Sequence, residues 1–304
     1  MREQDHAAPV RHVFIVGLSR SGTTITRAVL DKSALVGIGG ESNFLEDPRI
    51  LGLGARPGFR DKLATVGDMR TEIGMGRVLD YVYSQQHYQY WVRLTSGLTR
   101  ETFAARLRAS DRSDRALLDI AMEFFAKGKV VRGDKTPHHI HSVPLLLKWF
   151  PDARIVHTLR DPRAVYASAH HKAAKEQSAR LVRGSEVARL AYRAASVTWH
   201  WRRVTQLHRE YESTYPNQYI LSRFEDLITE PESTVRRLCA FIGVPFEPAM
   251  LDQVLMNSSF VPRGVTKGFD SSVLDRWRHH LSPLARMWFT SRLGAELVRF
   301  GYAP

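Results

Sequence analysis

The sequence has almost no cysteine and no long apolar run, and each absence excludes a class of protein. Cys239 is the single cysteine among 304 residues, so neither an internal disulfide nor a multi-cysteine metal site can form. It lies in an apolar run, and we interpret it as a buried core residue. No run of about 18 apolar residues occurs, and the first residues are polar. We therefore expect a soluble protein without a transmembrane segment in the cytoplasm, a reducing compartment.

Acidic residues are too few to balance the basic ones. There are 44 Lys and Arg against 31 Asp and Glu, which gives a net charge of +13. This excess predicts an acidic partner, such as nucleic acid, an anionic membrane, a glycan or a polyanionic cofactor. Because the basic residues are spread along the chain and no nucleic-acid module accompanies them, we expect no specific nucleic-acid partner.

One stretch, His12 to Asp31, has the pattern of a strand, a tight loop and a helix. Its apolar run VFIV is typical of a strand buried on both faces. The loop GLSRSGTT follows, and apolar residues at helical spacing come next. Backbone N–H groups at a helix N-terminus bind oxyanions. The stretch therefore predicts a phosphate-binding loop, with an ordinary strand-to-helix turn as the alternative.

This loop lacks the lysine of a nucleotide P-loop. Gly17 and Gly22 have the P-loop spacing, but Thr23 stands at the lysine position and the nearest cation is Arg20. The missing lysine normally reaches the β- and γ-phosphates. The loop is therefore suited to a different anion, held by Thr23, Thr24 and backbone amides.

Charged residues follow two further candidate strands. The segment 34–40 precedes Glu41, and the segment 130–135 ends at Lys135. Ligands of open α/β sheets bind at the carboxyl ends of the strands, so we expect Glu41 and Lys135 beside Arg20. Two roles stay open for Glu41, a general base and an ion-pair partner.

A later strand, residues 153–159, runs into Arg160 and a helix that contains Ser168. An arginine can bind a phosphate with two N–H groups, and a serine hydroxyl can complete the contact. This junction is therefore a second candidate phosphate site. The alternative is a structural ion pair between Arg160 and Asp161.

Two segments lie outside this pattern. Residues 47–127 exceed a plain crossover, and we interpret them as a helical insert that shapes an acceptor site, with amphipathic helices over 77–98 and 101–127. Its aromatic residues either line that site or pack in the core; they are Tyr81, Tyr83, Tyr88, Tyr90 and Trp91. Residues 257–278, with Arg263 and Lys267, form either a loop that covers a bound anion or a solvated surface loop.

Three histidines, His138, His139 and His141, lie close together in the sequence. Their HHxH spacing lacks the two-on-one-face arrangement of a helical metal site, and no cysteine supports it. We therefore predict no metal.

The segments RSGTT and LRDPRAVYAS together resemble the sulfotransferases that use 3′-phosphoadenosine 5′-phosphosulfate (PAPS). The resemblance continues through DKTP and FEDL and covers residues 13–246 apart from the insert. It implies a P-loop-like, three-layer α/β fold with a central, mainly parallel sheet and a helical insert, in a single domain over residues 1–304. The pattern is most similar to the tyrosylprotein sulfotransferase branch.

The resemblance also implies roles for individual residues. The first loop matches the residues that bind the 5′-phosphosulfate, here Arg20, Ser21, Gly22, Thr23 and Thr24. Arg160 and Ser168 match the positions that bind the 3′-phosphate. Glu41 matches the general base, and Lys135 matches a lysine that contacts the sulfate or its bridging oxygen. We expect Arg263 and Lys267 to cover the cofactor.

Some features depart from that branch. Asn43 stands where the branch has a second arginine. The branch also carries a membrane anchor and disulfides, which this sequence does not show. The enzyme class is therefore expected to transfer, but the tyrosine-in-peptide acceptor is not. Some members of the broader family use a histidine base, so His138 and His139 are alternatives to Glu41.

These residues together predict a sulfotransferase without a metal. It would move a sulfuryl group from PAPS to a hydroxyl of a small molecule, glycan or tyrosyl acceptor by in-line displacement, with Glu41 as base and 3′-phosphoadenosine 5′-phosphate (PAP) as product. One alternative is a P-loop-type nucleotide kinase, which would need Mg²⁺ and ATP. Another is a non-catalytic polyanion-binding protein on the same scaffold.

Overall fold

The computed structural model describes residues 12–45, 47–48, 55–85, 89–175, 185–252 and 269–303. Its strands are β1 (His12–Gly17), β2 (Val36–Ile38), β3 (Asp47–Pro48), β4 (Ala55–Arg56), β5 (Val131–Lys135), β6 (Arg154–Leu159) and β7 (Tyr219–Arg223). Its α-helices are α1 (Thr23–Leu30), α2 (Phe59–Val66), α3 (Glu72–Ser84), α4 (Gln89–Gly97), α5 (Arg100–Arg108), α6 (Asp114–Ala126), α7 (Val143–Trp149), α8 (Pro162–Lys175), α9 (Glu186–Thr214), α10 (Phe224–Thr229), α11 (Pro231–Ile242), α12 (Arg276–His280) and α13 (Pro283–Arg299). Short 3₁₀ helices cover Pro137–Ser142, Pro248–Leu251 and Ser271–Val273.

The central sheet has the strand order β2-β5-β1-β6-β7, and every neighbouring pair is parallel. The register places Ile15 beside Lys135 and Gly17 beside Thr158. Since all five strands run in the same direction, their carboxyl ends meet at one edge of the sheet. This arrangement confirms the predicted α/β fold with a central parallel sheet.

The middle strand β1 is buried on both faces, as its continuous apolar run predicts. Phe14 and Val16 belong to one hydrophobic core, which includes the insert, α7, α9 and α13. Val13 and Ile15 belong to a second core with α1 and α11. Because successive side chains of a strand point to opposite faces, this one strand supports both helical layers.

The insert contains more helices than the sequence periodicity predicts. The helix expected over residues 77–98 is divided between α3 and α4, and α3 begins earlier, at Glu72. Its N-terminus is determined by Thr71, whose hydroxyl accepts the N–H of Gly74. The second expected helix is likewise divided, into α5 and α6, with Ser113 capping α6.

The aromatic residues of the insert pack in the core. Tyr90 and Trp91 are buried, and Tyr81 and Tyr83 pack against the same cluster. Phe59 stacks on Trp91 with ring centroids 4.2 Å apart. Of the two roles open for these side chains, core packing is therefore the one observed, while Tyr88 lies outside the described residues.

Within the ranges given above, no helix is both long enough and apolar enough to cross a membrane.

Candidate active site

The phosphate-type loop begins where β1 ends and leads into α1. Gly22 caps the helix with φ = 100°, and a Cβ added there would lie 2.5 Å from the Phe224 ring. Both the left-handed backbone and the close approach therefore require glycine. The first-turn N–H groups of α1 have no partner inside the helix, so the helix presents its positive end at the sheet edge.

Of the three hydroxyl side chains at Ser21, Thr23 and Thr24, two are buried and one is exposed. Ser21 is fully buried, and its hydroxyl lies 2.8 Å from that of Thr158 on β6. Thr23 is also buried, whereas Thr24 is exposed. The Ser21 hydroxyl therefore ties the loop to the sheet, which the sequence did not reveal.

Arg20 joins the two candidate phosphate sites. Its backbone has φ = 74°, and its Nε donates to the Ser168 hydroxyl on α8 at 3.0 Å. Arg160 Nη1 in turn donates to the Arg20 carbonyl at 3.4 Å. Two sites that are far apart in the sequence therefore form one continuous basic surface.

Arg160 lies at the junction of β6 and α8 and is held without an ion pair among the described residues. Its guanidinium lies over the Phe224 ring, 4.1 Å from the centroid, and Nη2 donates to the Val273 carbonyl at 3.5 Å. Its Nε is buried and has no hydrogen-bond partner in the described part of the chain. Burial lowers the pKa of Arg160 to about 10, so the guanidinium remains charged at neutral pH.

The predicted alternative, an ion pair between Arg160 and Asp161, is wrong. Asp161 instead binds Arg163, which donates to it through Nε at 3.0 Å and Nη2 at 2.8 Å. The Asp161 carboxylate is thus already bound by Arg163, which lies on the first turn of α8. Arg160 is left with only carbonyls and an aromatic ring as described contacts, an environment that favours an anionic ligand.

Glu41 and Lys135 meet at the same edge of the sheet. Lys135 Nζ lies 2.6 Å from Glu41 Oε1 and 3.5 Å from the Thr24 hydroxyl. The lysine side chain is 6% exposed and that of Glu41 is 47% exposed. The buried ammonium therefore orients a carboxylate that remains accessible to a substrate.

The residue after Glu41 is fixed by two buried side chains. Asp134 Oδ1 accepts the N–H of Ser42 at 3.2 Å, and Trp91 donates its indole N–H to the Ser42 carbonyl at 3.0 Å. Burial raises the pKa of Asp134, but the adjacent His139 and the hydroxyls of Thr136 and Ser42 lower it further than burial raises it. The sequence argument missed the role of Asp134, although an aspartate directly before Lys135 was the available signal, and it named Trp91 without predicting its contact with Ser42.

Comparisons with known proteins identify the family and the fold of the chain. A family model described as "Sulfotransferase family" matches residues 12–248. The chain belongs to the sulfotransferase family. This confirms the family resemblance drawn from the RSGTT and LRDPRAVYAS segments.

The relatives are distant. The chain is 23% identical to an uncharacterised protein of Aquifex aeolicus (strain VF5) over 89% of this chain and 31% of that protein. It is 24% identical to a protein-tyrosine sulfotransferase of Drosophila melanogaster over 83% of this chain and 42% of that protein. The chain therefore spans less than half the length of these two relatives.

Solved structures show the same fold. The sulfotransferase domain of an olefin synthase from Synechococcus PCC 7002 aligns with 93% of this chain and 92% of that domain, with a TM-score of 0.51 and 18% identity. The parallel sheet with helices on both faces is thus the sulfotransferase fold.

The histidines predicted as alternative bases are held by the backbone next to the site. His139 is fully buried, accepts the N–H of Leu45 through Nε2 at 3.2 Å, and places Nδ1 3.2 Å from Asp134 Oδ2. His138 Nε2 lies 3.2 Å from the Leu45 carbonyl. His139 has no exposed surface in this structure, which favours Glu41 over it as the base, and His138 stays an alternative.

Some predicted residues cannot be placed. Arg263 and Lys267 lie outside the described residues, and the predicted covering loop is described only from residue 269 onward. Its described part includes Val273, whose carbonyl contacts Arg160. In the described ranges, no group of three or more His, Cys, Asp or Glu is arranged to hold a metal ion.

Proposed function

We propose that this protein transfers a sulfuryl group from PAPS to an acceptor hydroxyl. The observation that supports this most directly is the second cationic site. Arg160 carries a buried Nε that has no hydrogen-bond partner within the described ranges, and it is joined to the phosphate-type loop through Arg20. A nucleotide with anionic groups at both its 5′ and 3′ positions needs two linked sites of this kind, whereas a nucleoside triphosphate does not.

The residues present fit PAPS, which supplies the sulfuryl group when it is bound. The first turn of α1, with Arg20 and Thr24, would hold the 5′-phosphosulfate. Arg160 and Ser168 would hold the 3′-phosphate, because the buried Arg160 Nε has no hydrogen-bond partner in the described residues and the Ser168 hydroxyl, which accepts Arg20 Nε, keeps its own proton to donate. Arg263 and Lys267 are proposed to cover the bound nucleotide.

In this proposal, Glu41 accepts the proton of the acceptor hydroxyl. Its half-exposed carboxylate is oriented by Lys135 at 2.6 Å and by the anchored Ser42. Lys135 and Arg20 then stabilise the negative charge that develops during transfer. No step requires a metal ion.

The acceptor belongs to the class of hydroxyl compounds: a small molecule, a glycan or a tyrosyl residue. The relative from Drosophila melanogaster is named a protein-tyrosine sulfotransferase, which supports a tyrosyl acceptor. Asn43, which has φ = 49° and donates to the Glu41 carbonyl at 3.3 Å, stands where the resemblance expects an arginine. Because this position differs, the name of that relative does not choose among the three acceptor classes. A cytoplasmic location and the lack of a specific nucleic-acid partner stay predictions.

Calorimetric titration with PAP, AMP and ATP tests the cofactor. We expect PAP to bind more tightly than AMP, and Mg²⁺ to leave binding unchanged. Arg160→Ala should weaken PAP binding by about 1.5–3 kcal/mol, the range for hydrogen bonds to charged groups. Tightest binding of ATP in the presence of Mg²⁺ would instead identify the nucleotide kinase alternative.

A further inference from the structure

The loop that carries Arg160 is held by residues near the end of the described chain. Residues 300–303 follow α13 and return to the start of α8. Tyr302 donates its hydroxyl to Glu225 Oε2 at 3.1 Å, and the Ala303 carbonyl accepts Arg163 Nη2 at 2.5 Å. This segment therefore contacts Glu225 on α10 and Arg163 on α8, the two helices next to Arg160.

Glu225 links Tyr302 to the backbone beside Arg160. Its Oε1 accepts the N–H of Asp161 at 3.1 Å, while its Oε2 accepts the Tyr302 hydroxyl. The preceding residue, Phe224, carries the Arg160 guanidinium on its ring. The Glu225 carboxylate thus fixes the backbone next to Arg160, and the ring of Phe224 supports the Arg160 side chain.

Two further contacts restrict the same loop. Trp201 donates its indole N–H to the Arg160 carbonyl at 3.0 Å, and Arg163 lies over Trp277 at 4.5 Å while it binds Asp161. The backbone on each side of Arg160 is therefore fixed by side chains. A buried arginine can bind a phosphate well only if its backbone holds the planar guanidinium in the correct orientation.

We infer that Tyr302 and Glu225 are positioning residues that set the affinity for the 3′-phosphate by fixing the Arg160 loop. The inference rests on the proposed function, because it assigns the 3′-phosphate to Arg160. Both residues act through Arg160 and Asp161. Removing the Tyr302 hydroxyl leaves one oxygen of Glu225 without its donor and loosens the carboxylate that holds the Asp161 N–H.

The test is the Tyr302→Phe variant, with dissociation constants for PAP and AMP measured by calorimetry. PAP affinity should fall about three- to tenfold, less than the loss expected for a direct hydrogen bond to a charged group, because Tyr302 acts on the phosphate only through Glu225 and Arg160. AMP affinity should not change, because AMP lacks the 3′-phosphate. The matched control, Tyr211→Phe, removes a tyrosine hydroxyl from α9, where the ring packs against Tyr215 and Tyr219, and should leave both affinities unchanged.

A second variant and a mutant cycle keep the test decisive. Glu225→Met removes both acceptor oxygens, so the bonds from the Tyr302 hydroxyl and the Asp161 N–H are both lost and PAP affinity should again fall selectively. In an Arg160→Ala background, Tyr302→Phe should have no further effect on PAP binding.

The outcomes separate the inference from the function on which it rests. Equal losses for PAP and AMP, or a loss that persists in the Arg160→Ala background, would show that Tyr302 has only a general structural role. If the unaltered protein binds PAP no more tightly than AMP, the proposed function itself fails.

Discussion

At the scale of single residues, the candidate site combines accessible chemical groups with rigid support. Glu41 is half exposed, whereas Lys135, which orients it, and Asp134, which fixes the next residue, are buried. Such an arrangement holds the Glu41 carboxylate in place without enclosing it. Substitutions of the exposed Glu41 and of its buried supporting residues should therefore have different effects on activity and stability.

Replacing Glu41 by glutamine should abolish proton abstraction while leaving the cofactor site intact. General base catalysis is worth about 10²- to 10⁴-fold, so the turnover number of Glu41→Gln should fall by that factor with PAP affinity unchanged. Steady-state transfer assays and calorimetry measure the two quantities. Glu101→Gln, at an exposed position of α5, serves as control. A normal turnover of Glu41→Gln would exclude Glu41 as the base.

Gly22→Ala should lower both the free energy of unfolding and the affinity for the nucleotide. Its φ of 100° and the 2.5 Å approach of Phe224 make any Cβ unfavourable, and the left-handed backbone alone costs about 1–2 kcal/mol. Urea denaturation should show at least this loss in the free energy of unfolding.

The contrasting control is Gly294→Ala in α13, where nothing lies within 4 Å of an added Cβ. Because alanine favours a helix, the free energy of unfolding should rise by about 0.5–1 kcal/mol. A similar change at both glycines would contradict the conformational requirement at Gly22.

At the scale of elements, one lysine joins the end of α1 to β2. Lys129 Nζ donates to the carbonyls of Asp31, Ser33 and Val36, each at 2.9 Å. The carbonyls near the C-terminus of a helix lack intrahelical partners, and a cation there is favourable. This contact positions the strand that leads to Glu41.

Lys129→Met should therefore leave three carbonyls without their donor. Hydrogen bonds of charged groups contribute about 1.5–3 kcal/mol net, and the free energy of unfolding from urea titration should fall by that amount. Lys148→Met, at an exposed position of α7, should have little effect. Equal stability of the two variants would mean that the Lys129 contacts add nothing.

At the scale of the whole molecule, histidines that are partly or fully buried make stability depend on pH. Burial, together with the nearby His200, Arg203 and His138, lowers the pKa of His141 from 6.5 to about 3. Burial also lowers the pKa of His157 and of His208. All three are therefore neutral in the folded protein over a range in which the unfolded chain binds protons.

The sign follows from proton linkage. Because the folded pKa of His141 is depressed, the full stability is present above about pH 6.5 and is lost as the pH falls toward 3. The urea midpoint should be lower at pH 5 than at pH 7.5, and His141→Asn should reduce that difference. His279→Asn, at an exposed position of α12, should not. An identical pH dependence in all three proteins would contradict the role of His141.

Features that depend on residues close together in the chain could be predicted from the sequence alone. The strand from His12, the glycine loop and α1 are local, so their apolar spacing and glycines were enough to predict them. Glu41 and Lys135 were predicted to meet because parallel strands place their carboxyl ends together. The family resemblance followed from the same short segments.

Side-chain contacts between distant segments could not be predicted and are seen only in the folded chain. The bond from Arg20 to Ser168, the Phe224 ring under Arg160 and the Tyr302–Glu225 support each join residues far apart in the chain. Sequence spacing holds no information on such pairs, because packing and burial choose the partners. For the same reason Asp161, adjacent to Arg160 in the sequence, pairs with Arg163 instead, and this leaves Arg160 available for an anion.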